Sequence, residues 1–146
     1  MDDELFVGLQ RDRGVQDPDR MDVGGGHLQR PATIDIGLFG ATKGAVIANL
    51  GVTNVNVTGQ SIVGALMAYA SNSSITDSYA TGVVEGTGNR IGGLVGSHDL
   101  GSTTTGSSAT GSVKGTDFIG GLVGHNISSR IIASYATGAV AGTGDY

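Results

Sequence analysis

The stretch VVEGTGNRIGGLVGSHD, residues 83–99, holds most of the residue types in this chain that do chemistry elsewhere. Gly86, Gly88 and Gly92 are spaced as a variant of the glycine turn that lays a pyrophosphate against a helix N-terminus. That turn works only when it opens a helix. The residues after Gly92 read GLVGSHDLGSTTTG, which has no helical periodicity, and the corresponding stretches of the chain read GQSIVG and GTDFIG. The glycines therefore belong to a repeat and not to a nucleotide site.

The other candidates fare no better. His98 and His125 fall one position apart in successive repeats, near the turn after GLVG, where a metal would need a third ligand; they read as exposed turn histidines. Asp17, Asp19 and Asp22 in QDPDRMDVGGG lack both the distant bidentate glutamate of an EF-hand and the glycine–aspartate nonapeptide of a calcium-binding β-roll. That segment reads as solvated and poorly ordered. Asp77, Asp99 and Asp117 occupy different parts of their repeats, so no carboxylate pair faces a common substrate as glycoside hydrolysis requires. No serine is expected to meet a histidine and an aspartate. The chain is read as non-enzymatic, with no catalytic, cofactor-binding or metal-ligating residue.

Bulk properties narrow the classes further. The 146 residues fit one domain, and the 38% hydrophobic share suffices only for a thin or regular core. Glycine, at 27 residues, points to tight turns and closely approaching backbones. A net charge of −5 with eight lysines and arginines excludes a nucleic-acid surface. Cysteine is absent, so there is no disulfide framework to read. The acidic start MDDELFVGLQRDRG is not a secretory signal, and no apolar run approaches the ~20 residues of a membrane-spanning helix, so no membrane insertion is expected.

Charge divides the chain near Asp35: residues 1–34 carry 11 of the 21 charged side chains. Beyond that point the sequence repeats with a period close to 28. DIGLFG (35–40), VGALMA (63–68), IGGLVG (91–96) and IGGLVG (119–124) start 28 residues apart, giving copies 35–62, 63–90, 91–118 and 119–146. A second block comes after each: LGVTNVNVTG (50–59), SYATGVVEG (78–86), SSATGSVKG (107–115) and SYATGAVAG (134–142). Between them stands Ile47, Ile75, Thr104 or Ile131, with Ser78, Ser107 and Ser134 three residues later in the last three copies.

Every apolar run is broken by glycine too soon for a helix, so each period reads as three short strands joined by tight turns. Stacked copies of such a unit make a parallel β-solenoid of about four coils, ~4.8 Å apart and roughly 20 Å long, all β in class. Alternation turns Val57, Val84, Val113 and Val140 inward as one column. Gly82, Gly111 and Gly138 share that parity, where they would let the backbone bend into a narrow core. The outward positions are Thr81, Val83 and Glu85, then Thr110, Ser112 and Lys114, then Thr137, Ala139 and Ala141. The facing of IGGLVG is left open by its pattern. Tyr79 and Tyr135, the repeated aromatics, are expected to pack against each other's coils.

The pairing of GLVG with SYATG resembles the GLUG repeat, which occurs in multiple copies in large bacterial surface and secreted proteins, including filamentous adhesins and some immunoglobulin-A-cleaving peptidases. The likeness covers residues 35–146; VGALMA and STTTGSSATG depart from it, with alanine for a glycine and Thr104 for the usual isoleucine. GGGHLQRPATIDIGLFG (24–40) looks like a shortened form of the stretch before a first repeat, which implies a partial coil or cap within residues 1–34. The resemblance implies a structural or adhesive module of a larger protein at the cell surface or outside the cell, and supplies no catalytic residue. The alternative expectation is a solenoid binding ice or glycan through the outward face of Thr81, Thr110, Thr137 and Ser112. Expected partners are accordingly a host surface, a glycan or ice. An uncapped end after GTGDY would invite end-to-end self-association or mark a fragment.

Overall fold

The computed structural model describes residues 6–11, 21–29 and 34–144, the first two stretches as backbone strands alone. Asp17 and Asp19 lie outside the described residues, and Asp22 falls within a strand. The chain enters through β1 (Phe6–Arg11) and β2 (Met21–Gln29). A first coil contains β3 (Phe39–Lys43), β4 (Val46–Ala48) and β5 (Leu50–Gly59); a second, β6 (Val63–Gly64), β7 (Met67–Ser71), β8 (Ser74–Thr76) and β9 (Tyr79–Gly86). A third has β10 (Asn89–Gly92), β11 (Val95–Asp99), β12 (Thr103–Thr105), β13 (Ser108–Thr110) and β14 (Val113–Gly115). The fourth repeats it with β15 (Asp117–Gly120), β16 (Val123–Asn126), β17 (Arg130–Ile132), β18 (Tyr135–Thr137) and β19 (Val140–Gly142).

Equivalent strands pair in parallel from coil to coil, which makes the chain a β-solenoid of about four turns with a period near 28 residues. Its faces, in chain order, are β6–β10–β15 (face one), β3–β7–β11–β16 (face two), β4–β8–β12–β17 (face three) and the long face four through β5, β9, β13–β14 and β18–β19. Face four extends beyond the first coil, because β2 pairs in parallel with β5 and β1 pairs antiparallel with β2. The charged N-terminal segment thus contributes two strands to the sheet.

Four faces stand where three strands per coil were expected, because IGGLVG is two strands and not one. Ile91–Gly92 ends β10, the chain reverses at Gly93–Leu94, and Val95–Gly96 opens β11. Glycine makes that reversal fit: a Cβ on Gly92 would strike the Val95 carbonyl, and one on Gly96 would lie 2.8 Å from the Ala68 carbonyl oxygen and the Val63 amide. Two backbones meet there with no side chain between them.

Register obeys the sequence columns with one correction. Val57, Val84, Val113 and Val140 are direct neighbours in successive coils. So are Ile47, Ile75, Thr104 and Ile131. In the first coil, however, it is Ile36 and not Asp35 that pairs with Val63, while Phe39 pairs with Met67. The first copy of the motif is therefore one residue short between these points. An extra residue is also absorbed in the third coil, at Leu100–Gly101, where φ is 53° and 80°. The core is a continuous file of Ile36, Val63 and Ile91 with Leu66, Leu94, Met67 and Val95, joined by Val57, Val84 and Val113 of the valine column, all buried.

Gly82, Gly111 and Gly138 have φ of 124°, 134° and 125°, and a Cβ on Gly111 would strike the carbonyl oxygen of Gly82 in the preceding coil. Their role is backbone-on-backbone contact along the solenoid axis, not room in the core. Tyr79 and Tyr135 are separated by Ser108 in the register, so the tyrosines lie two coils apart.

The glycine column gives a stability test. Gly111→Ala combines a left-handed φ with a clash against fixed backbone, and should cost at least ~2 kcal/mol in urea unfolding. Ser112→Ala, one residue on and exposed, should stay within about 0.5 kcal/mol of the parent. Equal midpoints for the two variants would remove the axial-contact account.

Candidate functional site

Of the predicted binding face, Thr81, Thr110 and Thr137 do align in successive coils. Thr81 and Thr110 are half-buried, Thr137 is exposed, and Ser112 is exposed between β13 and β14. The Thr81 hydroxyl is already engaged, accepting the Asn54 amide hydrogen at 2.9 Å. Asn54, with φ of 52°, is the extra residue of a bulge that lets Val52–Val55 span one position more than its counterpart in β9. The column that looked most available is thus partly spent on holding the first coil.

A better-paired hydroxyl surface lies on face three, which the sequence reading passed over. Strands β8 and β12 point Ile75 and Thr104 inward, so Ser74, Thr76, Thr103 and Thr105 point outward in two columns, Ser74–Thr103 and Thr76–Thr105. Hydroxyls in one strand are about 6.8 Å apart, and columns repeat at ~4.8 Å. Val46 and Ala48 lie below this patch, Arg130 and Ile132 above it. The signal was in SIT and TTT, whose alternation is visible only once the central residue is known to face the core.

His98 is buried, against the reading of an exposed turn histidine. It is fully enclosed and shares a 3.0 Å hydrogen bond between its Nε2 and the Thr104 hydroxyl, while its Nδ1 finds no partner among the described residues. Coil two has Ala70 and Ile75 at the equivalent positions, so a small–large apolar pair has become an imidazole–hydroxyl pair. Burial pushes the His98 pKa below its usual value, with Asn126 and the Asp99 charge opposing. His125 sits one register position away beside Ser97, its ring edge-on to Phe118 at a centroid separation of 5.2 Å.

Contrary to expectation, the repeat does bring a serine, an aspartate and a histidine together: Ser97 and Asp99 are two residues apart on β11, and Ser97 pairs in register with His125. Yet Ser97 is wholly buried, and among the described residues neither its Oγ nor His125 Nδ1 has a hydrogen-bond partner. A nucleophile needs contact with its base, which this arrangement does not provide. Beside them Asp99 accepts a hydrogen bond from Tyr69, raising the phenol above its ordinary pKa together with burial, so this tyrosine stays protonated. Asp77 and Asp117 lie elsewhere in their coils, at a corner with φ of 46° and on face one. Among the described residues no three histidine, cysteine or acidic side chains converge as metal ligands. Gly86 and Gly92, from the apparent nucleotide turn, serve packing: a Cβ at Gly86 would strike the Ile91 side chain.

Two files of serine run along the corners. Ser73 Oγ accepts the Ala45 amide hydrogen, Ser102 Oγ that of Ser73 and Ser129 Oγ that of Ser102, each at 3.1 Å. At the next corner Ser78 Oγ accepts from the Leu50 amide, Ser107 Oγ from Ser78 and Ser134 Oγ from Ser107, at 3.1–3.2 Å. Each second-file hydroxyl donates to the carbonyl two residues before it in its own coil. The pattern defines a parallel β-solenoid whose corners are bolted by hydroxyls. Comparison with family models, with curated proteins and with solved structures finds no match to this chain.

The buried histidine makes stability depend on pH. Because its folded pKa lies below the unfolded value of about 6.5, the unfolded chain takes up the proton first as pH falls. Stability should be full above that value and decline on acidification until the folded imidazole itself titrates. A His98→Ala, Thr104→Ile double variant, which copies the Ala70 and Ile75 of coil two, should flatten that decline in unfolding measured between about pH 7.5 and 5. An unchanged slope would refute the assignment to His98.

Proposed function

We propose that this chain is a non-catalytic structural and adhesive repeat module of a larger bacterial surface or secreted protein, as the resemblance of its IGGLVG and SYATG blocks to the GLUG repeat implies. The observation that carries the reading is the pair of serine files. Repeated hydroxyls, the commonest reactive groups in the chain, are used to join one coil to the next at both corners of face three. Each such bond adds about 0.5–1.5 kcal/mol, and each repeats at every junction between successive coils. A rod assembled this way transmits load along its axis and presents equivalent outward positions at each level, filled by different side chains. On this reading the working surface is a face and not a pocket.

A second reading, binding of ice or a glycan through an outward hydroxyl face, draws on the Ser74, Thr76, Thr103 and Thr105 array. No protein partner engages these hydroxyls among the described residues, so they are offered to solvent, whereas Thr81 is engaged.

The two readings separate by experiment. Beads coated with the chain should be retained on a host-matrix or mucin surface, and Thr105→Glu should leave that retention unchanged if the module works as a structural adhesive. Under the second reading, thermal hysteresis or retention on an immobilised polysaccharide should fall at least tenfold in Thr105→Glu and less in Thr110→Glu. Retention on no surface, with no hysteresis, would remove both binding roles.

A further inference from the structure

Three stretches of the chain have the N-x-S/T form that marks an asparagine as a sugar acceptor: Asn56-Val57-Thr58, Asn72-Ser73-Ser74 and Asn126-Ile127-Ser128. The letters do not rank them, but the fold does. Asn56 is half-buried in the middle of β5, which is laddered to β2 on one side and β9 on the other, so its backbone cannot rise into the groove of a second protein. Asn126 has its carboxamide engaged already, Nδ2 donating to the Ser129 carbonyl at 3.1 Å. Asn72 differs from both.

It occupies the corner between β7 and β8 in the second coil, exposed and with φ of 48°, and its carboxamide has no hydrogen-bond partner among the described residues. A glycine lies beside it on each side along the axis. Gly44 of the first coil, whose amide donates to the Ser71 carbonyl, has open space where a Cβ would be. Gly101 of the third coil would bring a Cβ to 3.3 Å from Asn72 Oδ1 and within 4 Å of nothing else. The two glycines thus leave a gap around a side chain that stacking at ~4.8 Å would otherwise crowd. The hydroxyls divide as the motif requires. Ser73 Oγ is enclosed and committed to its serine file, while Ser74, two residues after the asparagine, lies on the outward side of β8. A left-handed corner favours asparagine for its backbone alone, but it asks for no hydroxyl two residues on. Asn49 and Asn54, at φ of 54° and 52°, have Gly51 and Asn56 there.

We propose that Asn72 is a glycosylation site, taking a sugar from a sugar-diphosphate donor through a glycosyltransferase that reads N-x-S/T. Asn72 Nδ2 forms a bond to C1 of the sugar as the bond from C1 to the diphosphate oxygen breaks, and one Nδ2 proton passes to a base of the transferase. The diphosphate leaves with the bonding electron pair. The added sugar projects from the gap between Gly44 and Gly101, at the edge of face three, and displaces no core contact. The inference rests on the geometry of this corner and stands apart from any adhesive role.

Mass spectrometry tests it. The folded chain, incubated with a glucosyltransferase that reads N-x-S/T and a nucleoside diphosphate glucose, should gain one hexose on the peptide that holds Asn72, with Asn56 and Asn126 modified at least tenfold less. Asn72→Gln should abolish that gain. Ser74→Ala, which keeps the asparagine and its corner, should lower it at least tenfold while the circular dichroism of the folded chain is unchanged. In the chain isolated from the cells that make it, the same peptide should carry sugar: a single hexose from a nucleotide donor, or a block of several from a polyprenyl donor. Modification of Asn72 only after unfolding in urea, equal modification of all three asparagines in the folded chain, or a bare Asn72 peptide from those cells would overturn the proposal.

Discussion

In a stacked coil each residue has its own counterpart about 4.8 Å above and below it, so a side chain persists only if it tolerates contact with its own kind. Valine does, and Val57, Val84, Val113 and Val140 file through the core. Serine does when its hydroxyl can take an amide from one coil and give its proton within another, which converts a corner of unpaired backbone donors into a satisfied one. Glycine does where nothing else can. At Gly82, Gly111 and Gly138 the counterpart's backbone fills the space a Cβ would need. The repetition seen in the sequence is therefore a consequence of self-contact, and the residues that repeat most strictly are those with least lateral room.

The same constraint explains the places where repetition fails. A substitution in one coil must be matched by its neighbour across the interior, since the layers above and below are held in register. Thr104 would leave an isolated hydroxyl among isoleucines, and His98 stands where the second coil has Ala70; together they bond to each other. Asn126, the counterpart of His98 in the fourth coil, brings a further polar side chain to the same ring.

Much of this architecture could be read from the letters, and the gaps have physical causes. The column assignments survived because period-2 alternation in SYATGVVEG and its copies resumes beyond the glycine column, where β13 gives way to β14. IGGLVG could not be read as two strands, since its reversal is made by backbones in contact and alternation counts only side chains. His98 was misplaced for a related reason: a histidine after a glycine turn resembles a surface residue until the opposing Thr104 supplies its partner. The one-residue slip between Asp35 and Ile36 hid behind the constant spacing of the motif starts, because the first copy is short there and long again at Asn54. The Ser97, Asp99 and His125 neighbourhood was invisible because a sequence distance of one period becomes a single strand spacing in this fold.

Hydroxyl groups are the commonest polar side chains here, and geometry sorts them into two populations. Corner serines are enclosed and saturated: Ser73, Ser78, Ser102 and Ser107 each both give and accept. Their replacement would be felt along the whole rod, because a lost acceptor leaves the preceding coil's amide buried and unpaired. Outward hydroxyls of face three, those of Ser74, Thr76, Thr103 and Thr105, carry no such duty, unlike Thr42 and Thr81, which bond to the neighbouring coil, and β-branching suits threonine to exposed strand positions whatever it touches. Change in the second population leaves the stack intact, so the outward pattern can drift toward any ligand while the corners stay constant. Ser74, Thr76, Thr103 and Thr105 of face three stand outside the serine files, so the cohesion of the stack does not rest on their hydroxyls.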